Sequence, residues 1–269
     1  MANPFDAQQT ITSIKRFLTG YLNRSALGGF VIGLSGGIDS ALSAALAVEA
    51  VGPERVLGVL MPFRTSSAAS REDAAKVVAL LGIQSRVVDI SPMVDAYFPQ
   101  IDDSNRLRAG NKMARERMAV LFDIAHETGR LVLGTGNRTE IALGYTTLFG
   151  DSACSVNPVG ELYKTEVRLL ARRLNLPESV LTKPPSADLW VDQTDEGEIG
   201  VTYEEIDAIL AKVLDEGVRS MSAIEATGLS ATSISRVVSL MNRNAFKRTP
   251  PPLAPLGRSS IPTQVQLEP

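Results

Sequence analysis

The sequence is poor in the side chains that most often bind metals or act as nucleophiles. It has one cysteine, Cys154, and one histidine, His126, in 269 residues. A disulfide joins a pair of cysteines and a Cys/His zinc site needs about four ligands, so the chain by itself can form neither. A single cysteine is typical of proteins in a reducing compartment, and we therefore expect a cytoplasmic protein. His126 falls on the polar side of an amphipathic segment, which favours a solvent-exposed position over a catalytic one.

Long apolar runs and an excess of basic charge are also absent. Outside the alanine-rich residues 41–51, no stretch of about 18 uncharged apolar residues occurs, so we expect no membrane-spanning helix. The N-terminal segment "MANPFDAQQT" lacks the basic and then apolar pattern of a signal peptide, so we do not expect export. The formal net charge of −3 gives no general support for binding to nucleic acid or to membranes.

What is present is a regular alternation of strand and helix patterns. Hydrophobic residues make up 44% of the chain, enough to bury the core of an α/β domain. Strands that alternate with helices predict a doubly wound parallel sheet with helices on both faces. The predicted strands are residues 29–34, 55–62, 85–90 and 130–136, and the predicted helices are residues 39–51, 70–82, 91–101, 111–127 and 137–145.

The second half of the chain is predicted to be helical. Apolar side chains recur at helical spacing within residues 163–174, 202–213 and 234–241. The end of the chain is rich in proline, which is typical of an extended tail. We therefore predict C-terminal helices after the sheet, with one domain over residues 1–247 and a proline-rich tail over residues 248–269.

The segment "LSGGIDSAL" (residues 34–42) places glycines, serines and an aspartate between a predicted strand and a predicted helix. Gly36 and Gly37 allow a sharp turn and a close approach of the backbone to a ligand. Asp39 and Ser40 begin the helix, whose free N–H groups attract anions. A carboxylate beside a phosphate requires a cation between them, and Mg²⁺ suits this role because it binds both groups. The lysine of the common nucleotide-binding loop is missing, and an ordinary turn with an Asp/Ser helix cap is the alternative.

A second polar segment follows the strand predicted at residues 130–136. It contains "GTGN" (134–137), with Glu140 one helical turn further along the chain. In doubly wound sheets, ligands bind at the carboxyl ends of the strands. Glu140 is therefore expected to reach the same crevice as Asp39.

The motif "SGGIDS" after a strand resembles the pyrophosphate-binding loop of the N-type ATP pyrophosphatases, which implies an adenine nucleotide alpha hydrolase-like fold. Within that group, the chain is similar to the NAD synthetase family over nearly its whole length. The matching blocks occur in the right order, as "GNKMARERM", "VLGTGNRTEIALGY", "FGD", "NPVGELYKTEV", "KPPSADLW", "QTDEGEIGVTYEEID" and "NRNAFKR". Several independent blocks make this resemblance far more specific than the loop alone.

The resemblance implies an ATP-dependent ligase of NAD biosynthesis. The N-type ATP pyrophosphatases cleave ATP to AMP and pyrophosphate while they activate a carboxyl or carbonyl oxygen. In NAD synthetases that oxygen belongs to the nicotinate carboxylate of deamido-NAD, and ammonia then displaces AMP to give NAD. The implied co-substrate is ATP and the implied metal is Mg²⁺. The family also implies a homodimer with deamido-NAD bound near the subunit interface.

The resemblance further implies roles for individual residues. Asp39 and Glu140 match the Mg²⁺ ligands, and Asp39 and Lys164 are the residues expected to be catalytic. The positions that match ATP contacts are Gly33, Leu34, Ser35, Gly36, Gly37, Ile38, Asp39, Ser40, Thr135, Lys164 and Ser186. The positions that match deamido-NAD contacts are Arg117, Leu148, Ser155, Phe246 and Lys247.

Three of these positions depart from the ammonia-dependent members of the family. Where those members have lysine, aspartate and histidine, this chain has Leu148, Ser155 and Phe246. The surrounding segments are closer to the synthetase portion of glutamine-dependent NAD synthetases, so the changes have a precedent in the family. They leave the contacts to ATP better supported than the contacts to deamido-NAD.

The nitrogen source is predicted to be ammonia, either free or delivered by a separate glutaminase. A glutaminase domain requires roughly 150–250 further residues and a nucleophilic cysteine. Cys154 lies inside the synthetase-like region and has no histidine near it in the sequence.

In the same region, residues 182–200 are rich in proline, aspartate and glycine, and they are the best candidate for a mobile cover over the site.

Two other functions are open at the level of the sequence. Another N-type ATP pyrophosphatase could adenylate a different carboxylate, and substrate-dependent release of pyrophosphate would distinguish it. Residues 222–243 also have the pattern of a helix-turn-helix DNA-binding motif, with Gly228 at the turn. A helical hairpin packed on the sheet domain explains the same pattern. Because the chain has a net negative charge, we expect no nucleic-acid partner and no membrane partner.

Overall fold

The computed structural model describes residues 5–186, 190 and 193–254. The strands of this part of the chain are β1 (Gly29–Gly33), β2 (Val56–Leu60), β3 (Gln84–Val87) and β4 (Arg130–Val132). Its α-helices are α1 (Ala7–Ser25), α2 (Ile38–Val51), α3 (Ala68–Leu81), α4 (Ser91–Asp95), α5 (Arg106–Thr128), α6 (Arg138–Leu143), α7 (Lys164–Arg173), α8 (Glu178–Leu181), α9 (Asp195–Ile199), α10 (Tyr203–Leu210), α11 (Met221–Glu225) and α12 (Ala231–Arg243). Short 3₁₀ turns lie at Pro53–Arg55 and Ala245–Arg248, and a π-helical turn at Ala211–Asp215 extends α10.

In the described chain, the strands form one parallel sheet in the spatial order β3-β2-β1-β4. Phe30 of β1 lies opposite Val56 of β2 and Leu131 of β4. The chain first moves outward from β1 to β3 and then returns to the other side of β1 with β4. A doubly wound sheet has its ligand crevice at the carboxyl ends of the strands where this reversal occurs. The loops after β1 and β4 therefore face one crevice.

Both faces of the sheet are covered by helices. Phe30 and Ile32 are fully buried on the face covered by α1, α2, α3 and α7, whereas Val31 is fully buried on the face covered by α4 and α5. A strand buried on both faces is apolar throughout, as the segment "FVI" is. α2 is rich in alanine and largely buried, and its small side chains allow α1 and α7 to pack closely against it. The predicted doubly wound parallel sheet is confirmed.

The C-terminal helices form another hydrophobic cluster beside the sheet. α10 packs against α6, α7 and α12, and Ile206 of α10 is fully buried. The segment with the helix-turn-helix pattern folds as α11 and α12, and α12 buries Ile234 and Val237 in this cluster. Arg236 Nε donates a hydrogen bond to the Ile199 carbonyl at 2.9 Å. The hairpin is thus packed on the rest of the domain.

Several element bounds differ from the predicted ones. α5 begins at Arg106 rather than at residue 111, because the intervening residues include good helix formers such as leucine, arginine and alanine. The helix predicted over residues 91–101 ends at Asp95, ahead of Pro99, whose ring disfavours the helical conformation in the residue before it. β4 ends at Val132, four residues before the predicted end at 136, although the Leu133 N–H still donates to the Val31 carbonyl of β1 at 2.9 Å.

Parts of two predicted segments fall outside the described residues. These are residues 187–189, 191 and 192 of the predicted cover and residues 255–269 of the predicted tail. Residues 251–254 are exposed and have no regular secondary structure. The domain boundary after residue 247 stays a prediction. No helix in the described ranges combines the length and the apolar character needed to cross a bilayer.

Candidate functional site

A cavity of about 840 Å³ opens at the carboxyl ends of β1 and β4. Its wall includes the loop between β1 and α2, the loop between β4 and α6, the start of α7 and residues of α5 and α12. Natural ligand sites have volumes of about 300–1,000 Å³, so the cavity is large enough for a nucleotide. The wall is assembled from distant parts of the chain, so the site exists only when the domain is folded.

The loop between β1 and α2 is shaped by its own hydroxyls and by one glycine. Gly36 has a φ of +77°, and a Cβ there would lie 2.2 Å from the Ser70 carbonyl oxygen, so a side chain does not fit. The Ser35 hydroxyl accepts a hydrogen bond from the Gly37 N–H at 3.2 Å, and the Ser40 hydroxyl donates to the Gly37 carbonyl at 3.0 Å. No described side chain caps the start of α2. The N–H groups of its first turn can therefore bind an anion.

Two carboxylates and one ammonium form the charged centre of the cavity. Lys164 Nζ lies 2.5 Å from Asp39 Oδ2 and 3.4 Å from Glu140 Oε1. The Lys164 side chain is 2% exposed, whereas those of Asp39 and Glu140 are 18% and 19% exposed, so the carboxylates are the accessible groups. Burial, and then the Asp39 carboxylate, raise the pKa of Glu140 to about 8. Burial alone would lower the pKa of Lys164, but the two carboxylates outweigh it and raise that pKa.

Asn137 positions both carboxylates. It is fully buried. Its side-chain Oδ1 accepts a hydrogen bond from the Glu140 backbone N–H at 3.0 Å, and its backbone N–H donates to Glu140 Oε2 at 3.2 Å. Its Nδ2 donates to Asp39 Oδ1 at 2.8 Å. Asparagine followed three residues later by glutamate is a sequence pattern for this reciprocal helix cap. The sequence-based prediction missed Asn137, although "NRTE" has this pattern.

Asp207 of α10 fixes the start of α7 against α6. The Thr139 hydroxyl donates to Asp207 Oδ1 at 2.5 Å and accepts a hydrogen bond from the Lys164 N–H at 3.0 Å. Asp207 Oδ2 accepts from the Thr165 N–H at 2.9 Å. Asp207 and Thr139 are both buried, so these bonds are protected from water. The direction of the Lys164 side chain therefore depends on a residue that no local motif indicates.

Asp195 brings a third acidic side chain close to the ammonium. It is buried, and Asp195 Oδ2 accepts a hydrogen bond from the Tyr203 hydroxyl at 3.1 Å. Burial raises the pKa of Asp195, and the charge of Lys164 opposes this rise. Lys164 Nζ also lies 5.1 Å from the centre of the Tyr203 ring, a distance at which a cation and an aromatic face attract each other. Sequence reasoning did not single out Asp195 or Tyr203.

Nearly all residues predicted to bind ATP line this one cavity. They are Gly33, Leu34, Ser35, Gly37, Ile38, Asp39, Ser40, Thr135, Lys164 and Ser186. Gly36 belongs to the same loop and packs against α3. Glu140, the other predicted metal ligand, lies in the same wall. The fold thus gathers the predicted nucleotide and metal positions at one surface.

Two of the residues predicted to bind deamido-NAD also line the cavity. Arg117 Nε donates to the Met61 carbonyl at 3.0 Å. Lys247 Nζ donates to the carbonyls of Gly144 and Thr146 at 2.9 and 2.7 Å. Burial lowers the pKa of Lys247. Lys247 therefore holds the chain after α6 in place, a structural role that its sequence position did not indicate.

The other three residues predicted to bind deamido-NAD lie outside the cavity wall. The Ser155 hydroxyl accepts a hydrogen bond from the Val132 N–H at 3.1 Å and the Ser155 N–H donates to the Val132 carbonyl at 2.8 Å, so Ser155 lies against the end of β4. The Leu148 carbonyl accepts from Arg115 Nε at 3.1 Å, and Phe246 is 61% exposed. These are the three departures from the family pattern, and the single chain does not bring them to the nucleotide positions.

The donor set of the cavity suits Mg²⁺. This ion prefers oxygen ligands and usually takes one or two carboxylates, with water and substrate phosphates in its other positions. Asp39 and Glu140 offer two carboxylates beside the glycine loop. Within the described ranges, no group of three or more His, Cys, Asp and Glu side chains is placed to hold a metal. Two protein carboxylates are the number that Mg²⁺ usually takes when substrate phosphates and water supply its other ligands, so Asp39 and Glu140 fit this ion.

Comparison with known proteins gives consistent matches over most of the chain. The model of a protein family described as NAD synthase matches residues 10–251. An NH₃-dependent NAD⁺ synthetase of Trichlorobacter lovleyi is 46% identical over 252 residues, which cover 92% of this chain and 92% of that protein. The solved NMN synthetase from Francisella tularensis is 33% identical with a TM-score of 0.81, and it covers 93% of this chain and 99% of its own. An NH₃-dependent NAD synthetase from Campylobacter jejuni, solved with a nitrate ion, is 34% identical with a TM-score of 0.78 and the same coverage.

Proposed function

Because this chain belongs to the NAD synthase family, we propose that it converts deamido-NAD to NAD with ammonia and ATP. It is an ammonia-dependent ligase that forms a carbon–nitrogen bond. A carboxylate does not react with ammonia, because it has no good leaving group. Transfer of AMP from ATP to the nicotinate carboxylate supplies one, and pyrophosphate is the other product of that transfer.

The observation that carries the proposal is the position of Asp39. It stands in the first turn of the helix that follows the glycine loop, where an anion is expected to bind. The same carboxylate contacts Lys164 directly and is joined to Glu140 through Asn137. A loop suited to phosphates and a carboxylate pair suited to Mg²⁺ therefore form a single site.

In the first step of the proposed reaction, a carboxylate oxygen of the nicotinate attacks the α-phosphorus of ATP. The bond from that phosphorus to the bridging oxygen breaks, and pyrophosphate leaves with the electron pair. The N–H groups at the start of α2 and the hydroxyls of Ser35 and Ser40 donate hydrogen bonds to phosphate oxygens. Mg²⁺ held by Asp39 and Glu140 would supply positive charge at the phosphates. Lys164 holds the two carboxylates close together and adds its own positive charge.

In the second step, ammonia attacks the acyl carbon of the adenylate. AMP leaves with its oxygen, and the nitrogen loses one proton. The described wall offers no cysteine–histidine pair, and the reaction needs none, since positioning and electrostatic stabilisation supply most of the rate. Thr135 and Ser186 on the cavity wall are proposed as further ATP contacts. Arg117 and Lys247 are proposed as deamido-NAD contacts.

A homodimer is part of the proposal. Leu148, Ser155 and Phe246 lie outside the cavity of the single chain, and a substrate site shared by two copies is an arrangement in which they reach deamido-NAD. Light scattering is expected to give twice the 28.8 kDa mass of the chain. If the protein is a fully active monomer at the same concentration, these three residues do not contact deamido-NAD.

The proposal is tested by measuring NAD formation from deamido-NAD, ATP, MgCl₂ and ammonium chloride. Parallel reactions contain glutamine in place of ammonium, or nicotinate mononucleotide in place of deamido-NAD, because one similar solved structure is an NMN synthetase. NAD is expected with ammonium and not with glutamine. A preference for the mononucleotide would change the proposed substrate but not the reaction. Absence of both products, with no release of pyrophosphate, would reject the proposal.

The DNA-binding alternative is tested separately. α12 packs its apolar side on α10, and Arg236 is hydrogen-bonded to the Ile199 carbonyl. We therefore expect no retention of duplex DNA at low salt, measured by electrophoretic mobility shift. Salt-sensitive retention that Arg236→Gln abolishes would favour the DNA-binding alternative.

A further inference from the structure

The glycine loop brings no lysine or arginine of its own to the phosphate end of the cavity. The glycine loop offers N–H groups and hydroxyls, and the Lys164 ammonium is already paired with Asp39 and Glu140. Two carboxylates and one ammonium carry a formal charge of about −1 when all are ionised. Pyrophosphate gains negative charge as it leaves. A further cation, in addition to Lys164 and a Mg²⁺ held by the two carboxylates, would therefore favour its departure.

Lys183 places a second ammonium beside the glycine loop. Its Nζ lies 2.7 Å from Ser70 Oγ. Ser70 is buried at 5% exposure, and its carbonyl oxygen packs so closely on Gly36 that a Cβ there would lie 2.2 Å away. Lys183 and Ser70 line the same cavity as the loop. Lys183 contacts Ser70, and Ser70 contacts Gly36, so the ammonium lies close to the loop backbone that is expected to bind the phosphates.

A neighbouring lysine already neutralises the buried acidic residue of α3. Asp73 is 5% exposed, and it accepts hydrogen bonds from Lys76 Nζ at 3.0 Å and from Ser179 Oγ at 2.7 Å. Lys76 lies outside the cavity wall, whereas Lys183 is part of it. Two lysines that are close in the fold thus have different surroundings: Lys76 is hydrogen-bonded to Asp73, and Lys183 adds only a longer-range attraction to that carboxylate.

We propose that Lys183 binds the pyrophosphate group of ATP and of the leaving pyrophosphate, and that Ser70 is the positioning residue that holds its ammonium near the glycine loop. This inference rests on the proposed function, since pyrophosphate is formed only when ATP is cleaved between its α- and β-phosphates. As that bond breaks, the electron pair stays on the bridging oxygen, and the Lys183 charge stabilises it. AMP lacks the phosphates that Lys183 contacts, so the effect is selective among ligands.

The test measures ligand binding rather than turnover. Sodium pyrophosphate with MgCl₂, and separately AMP, are titrated into the wild-type protein, Lys183→Gln, Lys183→Arg and Lys76→Gln by calorimetry. Lys183→Gln is expected to weaken pyrophosphate binding about 10-fold or more, as loss of a charge-assisted hydrogen bond does, and to leave AMP binding within about 2-fold. Lys183→Arg keeps the charge and most of the affinity. Lys76→Gln leaves both affinities unchanged.

Several results would overturn the proposal. One is an equal loss of AMP and pyrophosphate affinity in Lys183→Gln, which indicates that the lysine only supports the wall. Another is wild-type pyrophosphate affinity in Lys183→Gln, or an equal loss in Lys76→Gln. Ser70→Ala removes no charge and is expected to weaken pyrophosphate binding by a smaller factor than Lys183→Gln, with AMP unaffected. Thermal melts verify that each variant is folded.

The outcome for Lys183 is separable from the outcome for the proposed function. NAD formation by the wild-type protein is measured on the same preparation. If pyrophosphate binds through Lys183 but no NAD forms, the assignment of deamido-NAD as substrate fails while the role of Lys183 stands. If NAD forms but Lys183→Gln binds pyrophosphate normally, only the role of Lys183 fails.

Discussion

The most constrained single residue in the described site is Lys164. Its ammonium is nearly inaccessible to water, and it lies between the carboxylates of Asp39 and Glu140, above the face of the Tyr203 ring. Taking a charge out of water is costly unless well-placed partners compensate it, and here two carboxylates do so. Removing the lysine would leave the two neighbouring carboxyl groups with no cation, and Glu140, whose pKa is already raised to about 8, would then bind a proton more tightly.

We expect Lys164→Met to lower the free energy of unfolding by about 3–5 kcal/mol, as breaking a buried ion pair does. Millimolar MgCl₂ should restore part of this loss, because Mg²⁺ can take the position between Asp39 and Glu140. Urea denaturation with and without MgCl₂ measures both effects. Lys212→Met is the control, since Lys212 forms an exposed i,i+4 pair with Glu216 and its loss should cost less than about 0.5 kcal/mol. Equal effects of MgCl₂ on the two variants would contradict this picture of the site.

Cys154 is expected to play no chemical role. Burial raises the pKa of its thiol, so little thiolate is present at neutral pH. A Cβ added at Gly134 would lie 2.7 Å from Cys154 Sγ, which shows how closely the thiol packs on the backbone after β4. We predict that Cys154→Ser keeps NAD formation within about 3-fold, and that iodoacetamide reacts with the folded protein more slowly than with the unfolded chain at pH 8. Loss of NAD formation in a folded Cys154→Ser protein would show that the thiol takes part in the reaction.

At the scale of elements, the site depends on how tightly the glycine loop is packed against α3. Gly36 adopts a left-handed conformation, and the Ser70 carbonyl occupies the space of a side chain. The hydroxyls of Ser35 and Ser40 then close the loop so that α2 begins at Ile38. Ligand binding and packing against α3 therefore both require a residue without a side chain at Gly36.

Gly36→Ala is expected to reduce ATP affinity at least 10-fold and to lower stability by more than a strained backbone alone does. Gly82→Ala is a matched control, because Gly82 also has a positive φ, of +63°, but has no atom within 4 Å of the added Cβ. A left-handed alanine costs about 1–2 kcal/mol, so Gly82→Ala should lose only this amount and keep its ATP affinity. Calorimetry with ATP and urea denaturation give the two quantities. If both variants behave alike, close packing at Gly36 does not matter.

At the scale of the whole molecule, α7 joins the sheet to the C-terminal helices. It packs against α1 and α2 on one side and against α10 on the other. The residues after α12 also return to the site: Asn244 Nδ2 donates to the Leu143 carbonyl at 2.8 Å, and Arg248 donates to the Ala142 carbonyl at 2.7 Å. These contacts cover the C-terminal end of α6, which carries Glu140.

Two truncations test where the domain ends. Removal of residues 250–269 leaves Lys247 and Arg248 in place, so we expect the melting temperature to change by less than about 2 °C. Removal of residues 244–269 also deletes the hydrogen bonds to the end of α6, and the melting temperature should fall by several times that amount. Differential scanning calorimetry measures both. A large loss in the shorter truncation would mean that the proline-rich residues are part of the domain.

The sequence was sufficient to predict the main features of the fold. β1 is apolar on both faces, α2 follows a glycine loop, and these local patterns correctly predicted a parallel sheet with helices on both faces. The predicted bounds were less accurate at the start of α5, where good helix formers precede the periodic stretch, and at the end of β4, where packing against neighbouring segments decides. The roles of Asn137 and Asp207 were missed. The contact of Asn137 with Asp39 and the hydrogen bonds by which Asp207 joins α6, α7 and α10 depend on which elements pack together. Helical periodicity does not specify that packing.

By itself, the sequence determined the order of the elements and the chemistry of the glycine loop, because both depend on residues that are close along the chain. Only the tertiary structure decided that Lys164 meets Asp39, 125 residues away, and that α12 forms part of the wall. It also separated Leu148, Ser155 and Phe246 from the cavity and placed Lys183 beside the loop. The physical reason is that a side chain's partners are set by the packing of whole helices on the sheet. Many residues jointly fix that packing, and no single motif encodes it.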